Sequence, residues 1–490
     1  MSSPFDEAKY RALLNGLEVT EVGFKDLETI IDYRIEAEFF DKRFLHTDEL
    51  FKKITWKPFF KIADYENGRA YSSDEFGVKG GIKVSKIGDV TNKRLIANWE
   101  TLSYSEFNNQ KGTKLTEDDI LMSLTGDPPD VGKVNLISNI TEPATFNQRV
   151  ARVFLRHTQS DFISAKVFFA VLANRHCREQ LERFAKGIRQ RNLGIECLEL
   201  LKIPIFKDDF QRLIDSLIIK SYEQSKIHQT KYQQAEALLL SELGLQDWQP
   251  SEANTAEISM AESFLSSGRL DAEYYQPKYD ELEAICEKNA KYIKIVKEIQ
   301  ILNSRGLQPE YVENGDLNVI NSRHILDTQL DYENFEKTDF NNWDSQLKAR
   351  VYKNDILTYT TGAGIGKTQT YLSDKKALAS NHVNILRIKS EKPIYVGFVI
   401  NSIVGKMQTE KVSAGSAQQE LYPKDLDEFY VPFVTETAQN QIISLIEQSQ
   451  FAQAESKRLF ALAKEAVEVA IEQNEEAAKK LISSSLTNLE

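Results

Sequence analysis

The chain has 490 residues, 41% apolar and 27% charged, which places it among folded proteins and excludes a disordered or collagen-like polymer. That length exceeds one ordinary hydrophobic core and implies two or three domains. The net charge of −12 argues against nucleic-acid binding as a first reading, although it averages over uneven segments.

No window holds the roughly 20 apolar residues of a membrane span, and residues 1–14 carry acids without the apolar stretch of a signal peptide. Cys177, Cys197 and Cys286 are odd in number and lack CxxC spacing, which fits a reducing cytoplasm and argues against disulfide or zinc frameworks. A cytoplasmic protein is therefore expected. None of the six His residues shows HExxH or other metal spacing.

Along the chain, residues 81–87 (GIKVSKI), 119–124 (DILMSL) and 150–155 (VARVFL) alternate like strands. Residues 163–184 have a helical pattern. From 144 to 203 the chain holds 11 Lys/Arg against 5 Asp/Glu, so this segment alone is +6. Only local potential reaches a phosphate, and a basic cluster of this kind can serve an acidic protein as well as a basic one. Residues 208–243 contain no Pro or Gly and place Ile214, Ile218, Tyr222, Tyr232, Ala235 and Leu239 on a thin apolar seam. Residues 249–257 (QPSEANTAE) are small and polar, a linker composition. Residues 436–480 again lack Pro and Gly, with Ile442, Ile446, Leu459, Leu462, Ala466 and Val469 on one stripe. Helices of this size are about 50–65 Å long. So thin a seam on so long a helix predicts lengthwise pairing of the two as an antiparallel coiled coil.

The chain also repeats itself. Residues 34–44 (RIEAEFFDKRF) match 269–279 (RLDAEYYQPKY) at an offset of 235, and 119–126 (DILMSLTG) match 355–362 (DILTYTTG) at 236. Gly132-Lys133 pairs with Gly366-Lys367, and 148–150 (QRV) more weakly with 381–383 (NHV). Gly187, Gln190 and Leu193 match Gly415, Gln418 and Leu421 at 228, the offset that also lays 200–206 (LLKIPIF) over 428–434 (EFYVPFV). Matches in one order with slowly drifting offsets indicate two copies of one domain. The expected class is α+β: two tandem pseudo-symmetric domains separated by two long helices. The expected boundaries are an N-terminal segment 1–30, domain 31–206, helix 207–248, linker 249–268, domain 269–434, helix 435–482 and tail 483–490.

Two segments tempt a catalytic reading. Residues 361–368 (TGAGIGKT) approach the phosphate-binding pattern GxxxxGK[ST], but Thr361 stands where its first Gly belongs. The corresponding residues 124–133 (LTGDPPDVGK) resemble no nucleotide loop, so the shared Gly-Lys turn is expected to be structural or to touch a partner's phosphate. Residues 127–130 (DPPD) approach the D/N-P-P-aromatic loop of amino-methyltransferases, but Asp130 replaces the aromatic that stacks on a flipped base. Acidic pairs such as Asp118-Asp119 and Asp208-Asp209 sit at element starts, where capping is the default. A chain this long without a catalytic cluster is expected to work by binding, not as an enzyme.

Two such domains, ending in residues 186–206 (KGIRQRNLGIECLELLKIPIF) and 413–434 (SAGSAQQELYPKDLDEFYVPFV) and each followed by a long helix, resemble the specificity subunit of Type I restriction-modification systems. The resemblance runs from about residue 31 to 480. It implies two target-recognition domains, each reading one part of a split, asymmetric double-stranded DNA target, with the helices as spacer. It also implies two modification subunits that methylate adenine with S-adenosylmethionine, and ATP/Mg-dependent restriction subunits as further partners. Those cofactors would sit on the partners, with none in this chain. Two similar domains on an antiparallel helix pair would share the two-fold symmetry of duplex DNA, and half-sites about 34 Å apart lie within reach of such helices. Under this resemblance the expected DNA contacts are Arg149, Lys186, Arg189, Gln190 and Arg191 in the first half. In the second they are Lys367, His382, Ser413, Ser416, Gln418 and Gln419, because Arg and Lys suit guanine edges and phosphates and Gln suits adenine. The alternatives are a non-enzymatic adaptor or anti-restriction mimic of the same fold and, behind it, a phosphate-loop ATPase.

Overall fold

The computed structural model describes residues 5–15, 21–24, 35–91, 96, 99–127, 130–138, 140–156, 162–187, 190–253, 255–389, 391–413 and 419–487. It is mixed helix and sheet and divides into two compact units. One unit comprises residues 1–224 with 454–490, the other residues 225–453. Both divisions fall inside long helices, Asp208–Glu242 and Glu436–Glu472.

The first unit holds strands β1 (Ala63–Asn67), β2 (Ile82–Ser85), β3 (Glu100–Leu102), β4 (Ile120–Ser123), β5 (Val134–Leu136), β6 (Ala144–Phe146) and β7 (Val150–Leu155). They form a four-stranded sheet in the order β1-β7-β4-β5 and a three-stranded sheet in the order β3-β2-β6. The second unit holds β8 (Gln300–Arg305), β9 (Leu317–Ile320), β10 (Glu336–Thr338), β11 (Ile356–Tyr359), β12 (Thr368–Thr370), β13 (Ala377–Ala379) and β14 (Val383–Ile388). Their orders are β8-β14-β11-β12 and β10-β9-β13, the latter extended by Arg350–Val351. Each unit thus has the same two sheets in the same order. Within each, the one parallel pair is the same, β2 with β6 and β9 with β13. The offset between equivalent strands drifts from 237 at Ala63 and Gln300 to 228 at Lys202 and Tyr430, as the sequence matches do.

The shared Asp-Ile-Leu segment explains itself chemically. Asp118 and Asn354 take left-handed backbone (φ 66° and 74°), which Asp and Asn tolerate. The next carboxylate turns back to accept a backbone N–H, Thr116 to Asp119 (2.7 Å) and Tyr352 to Asp355 (2.8 Å). Both carboxylates are buried, at 2% and 1% exposure, and each is matched by a guanidinium at 2.7 Å, Arg152 in one unit and Arg387 in the other. The pair of glycines Gly68 and Gly306 has a parallel logic. A Cβ on either would lie 2.0 Å from a carbonyl oxygen, of Asn147 and of Ala379, so only glycine lets these backbones approach.

The helical stretch 163–184 is two helices, Ala165–Ala173 and Arg175–Phe184, because the Asn174 side chain accepts the Cys177 N–H and caps the second. Pro393–Asn401 and Ile403–Ser413 repeat the arrangement, with the Ser402 Oγ accepting from Val404 N–H. The expected single helix over 435–482 is also broken. Asn474 accepts the Ala477 N–H and starts a separate helix, Glu475–Thr487.

In the first unit the long helices run antiparallel. Lys207 meets Glu475, and Ser221 Oγ donates to the Ser456 carbonyl (2.8 Å). Ile214 and Ile218 join Leu459, Leu462 and Ala466 in one core with Phe168 and Phe169 of the domain. In the second unit the helices lie side by side at His228, whose Nδ1 is 2.8 Å from the Ser449 Oγ. Ala235, Leu239, Ile442 and Ile446 share a core there with Tyr395 and Val399. Each apolar seam is therefore covered partly by the other helix and partly by a domain.

Candidate nucleic-acid interface

The hairpin between β4 and β5 turns at Gly132, where φ is 74°, and that between β11 and β12 turns at Gly366, where φ is 85°. Both glycines donate back across the hairpin, Gly132 N–H to the Ser123 carbonyl (2.9 Å) and Gly366 N–H to the Tyr359 carbonyl (2.9 Å). Each turn sits against the second short helix of its unit, near Leu181 and Thr409 respectively.

Two further segments meet each hairpin. In the first unit Leu124 N–H donates to the Arg149 carbonyl (3.0 Å), and Leu193 N–H to the Leu124 carbonyl (2.8 Å). Arg191 and Asn192 pair as a short strand with Gly126 and Thr125. Lys186 and Asn192 exchange backbone bonds, which brings the Lys186 backbone beside this short strand. In the second unit Thr360 N–H donates to the His382 carbonyl (3.1 Å), Leu421 N–H to the Thr360 carbonyl (2.9 Å), and Gly362 N–H to the Gln419 carbonyl (3.4 Å). The same three segments converge twice, and Arg149 and Arg191 occupy the places of His382 and Gln419.

The cluster brings together most of the expected contact residues. Arg149, Lys186, Gln190, His382 and Gln419 are exposed, and Arg191 is half-buried. Arg189, Ser416 and Gln418 lie outside the described residues. Two of the expected residues are already engaged within their unit. Ser413 ends its helix at 4% exposure and is part of the unit's interior. Lys367 is ion-paired with Asp327 (3.0 Å), as Lys133 is with Asp130 (2.6 Å). Sequence reasoning missed Arg69, whose backbone bridges to Asn147 and so stands next to the Arg149 segment, and Arg305, which donates to the Leu421 carbonyl (3.0 Å) and stacks over Tyr422. Their only sequence signal is a place next to a glycine, Arg69 after Gly68 and Arg305 before Gly306.

The tempting residues 361–368 are now explained. They link two antiparallel strands, with no helix following to direct N–H groups at a phosphate. Thr368 is buried and its hydroxyl is engaged with Thr358 and the Gly366 carbonyl. Pro128 and Pro129 of the 127–130 segment lie outside the described residues. Among the described residues no group of three or more His, Cys, Asp or Glu side chains is placed to hold a metal ion, and no helix is long and apolar enough to cross a membrane.

Residues 49–237 match the family model of the Type I restriction modification DNA specificity domain. A search of curated proteins finds no match. Among solved structures, the chain is similar to the S subunit of a Type I restriction-modification system from M. genitalium at 12% identity, covering 88% of this chain and 95% of that one with a TM-score of 0.39. It is similar to the HsdS subunit from Thermoanaerobacter tengcongensis at 11% identity, covering 86% and 97%, with a TM-score of 0.27. A structure described as a basis for complex assembly and conformational transition of the type I R-M system matches at 11%, 87% and 97%, also at 0.27. The matched residues fall on the first unit and its following helix, and the second unit repeats the same sheets. The chain therefore resembles the specificity subunits of Type I restriction-modification systems.

Proposed function

We propose that this chain is a DNA sequence-specificity subunit that reads a bipartite, asymmetric target and directs adenine-methylating partner subunits to it. The observation that supports this most is the match of residues 49–237 to a DNA specificity domain, in a molecule whose second unit repeats that domain's three-segment cluster with different side chains. Similar scaffolds with dissimilar tips suit two half-sites of unlike sequence. Each cluster carries side chains of the kinds that bond base edges, and the long helices would set the distance between half-sites. Two modification subunits would supply the S-adenosylmethionine chemistry, and ATP/Mg-dependent restriction subunits would add cleavage. The chain itself would bind and not catalyse, in the cytoplasm.

Exchange of residues 31–206 for the equivalent domain of a relative tests this reading. Methylation mapping in cells carrying the partner subunits should show one half of the methylated sequence changed, with the other half and the spacer intact. A change in both half-sites, or no methylation dependent on this chain, would refute it.

A further inference from the structure

The two clusters share a backbone but not a charge. The hydrogen-bond frame equates Arg149 with His382 and Arg191 with Gln419. At both places the first unit has a guanidinium where the second has an imidazole or an amide. Two further cations of the second cluster are offset. Arg305 lies 3.6 Å from Glu420, and Lys367 lies 3.0 Å from Asp327. Glu420 takes the place of Asn192, so the acid that offsets Arg305 has no counterpart in the first unit. In the first cluster Lys133 is offset by Asp130, but Arg149 is exposed and has no carboxylate partner among the described residues. The Nε of Arg191 is buried without a hydrogen-bond partner among the described residues.

We propose, resting on the DNA-specificity reading, that the chain grips DNA unequally: the first cluster neutralises phosphates and carries most of the salt-dependent affinity, while the second reads bases through neutral groups. The physical basis is counterion release. Each phosphate neutralised by Arg or Lys adds about 0.9 to the slope of log K against log salt, whereas imidazole and amide contacts add nothing to it. Within one protein the first cluster thus acts as the electrostatic anchor, and the second contributes hydrogen-bond selection with little non-specific affinity.

The test is a salt titration of the full-length chain on a mixed-sequence DNA duplex, at mildly alkaline pH, where imidazole groups are neutral. Arg149→Gln and Arg191→Gln should each lower the slope by about one. Arg149→Lys should keep it, which separates charge from folding. His382→Gln and Gln419→Ala should leave the slope unchanged, and His382→Arg should raise it by about one. Equal losses from substitutions in the two clusters, or no loss from either arginine, would overturn the unequal grip while leaving DNA recognition standing. If the unmodified chain showed no salt-dependent binding, the DNA reading and this inference would both fail.

Discussion

The two units solve one packing problem with different side chains. In each, a buried aspartate closes the turn before the central strand and needs a cation. In the first unit Arg152 reaches Asp119 and also lies 3.7 Å from Glu66. In the second, Arg387 meets Asp355 with two bonds of 2.7 Å each. The arginines are not equivalent in strand register. Arg152 stands opposite Leu121, whereas the residue opposite the corresponding Leu357 is Ile385, two positions before Arg387. The aspartate is thus kept in place while its partner comes from whichever same-face position is available. Side chains two apart on a strand share a face, so the chemistry survives a shift in its source.

This comparison can be broken by removing the aspartates. Losing one partner of a buried pair typically costs 3–5 kcal/mol. Asp355→Ala should lower stability toward denaturant by about 3–5 kcal/mol, because it strands Arg387 and frees the Tyr352 turn. Asp119→Ala should cost less, since Arg152 keeps Glu66. The reverse order in denaturant unfolding of the two variants would show that the two pairs are not equivalent supports.

A smaller contrast sharpens it. His176 is buried in the first unit, with Nε2 2.9 Å from Glu472 and Nδ1 2.9 Å from the Thr47 hydroxyl. At the matching position, 228 residues later, the second unit has Val404, buried in an apolar core. Burial disfavours charge on the His176 ring, but Glu179 and Glu472 outweigh it and raise its pKa. Its contribution should be complete below the unfolded value of about 6.5. It should fade as pH rises through the raised folded value. His176→Gln should cost about 1–3 kcal/mol at mildly acidic pH, and the gap from the unsubstituted protein should narrow on the alkaline side. A gap independent of pH, in melts across that range, would contradict this.

The smallest expected effect is none. Lys367→Ala should leave the ATPase rate of an assembled complex unchanged, because its loop is a hairpin tip whose lysine is held by Asp327. Loss of ATPase in a normally assembled complex would restore the nucleotide reading.

The strands, the two long helices and the duplication were legible in the linear order of residues, because side-chain periodicity and Pro/Gly placement act locally. The Asp-Ile-Leu segments stood out for the same reason: a left-handed residue and a turn-closing aspartate are local requirements. The helix break at Asn474 was missed, since one capping side chain decides it within a Pro/Gly-free run. What only the tertiary structure decided is which segments meet. Arg149, Arg191 and Gly126 converge through backbone bonds between residues far apart in the chain, and no local pattern encodes such partners. The same holds for charge. Lys367 read as an available cation until the fold set Asp327 beside it, 40 residues earlier in the chain, and Ser413 read as a surface hydroxyl until its helix end was buried. Residue type establishes what a side chain is able to do, and long-range packing determines whether it is left in a position to do it.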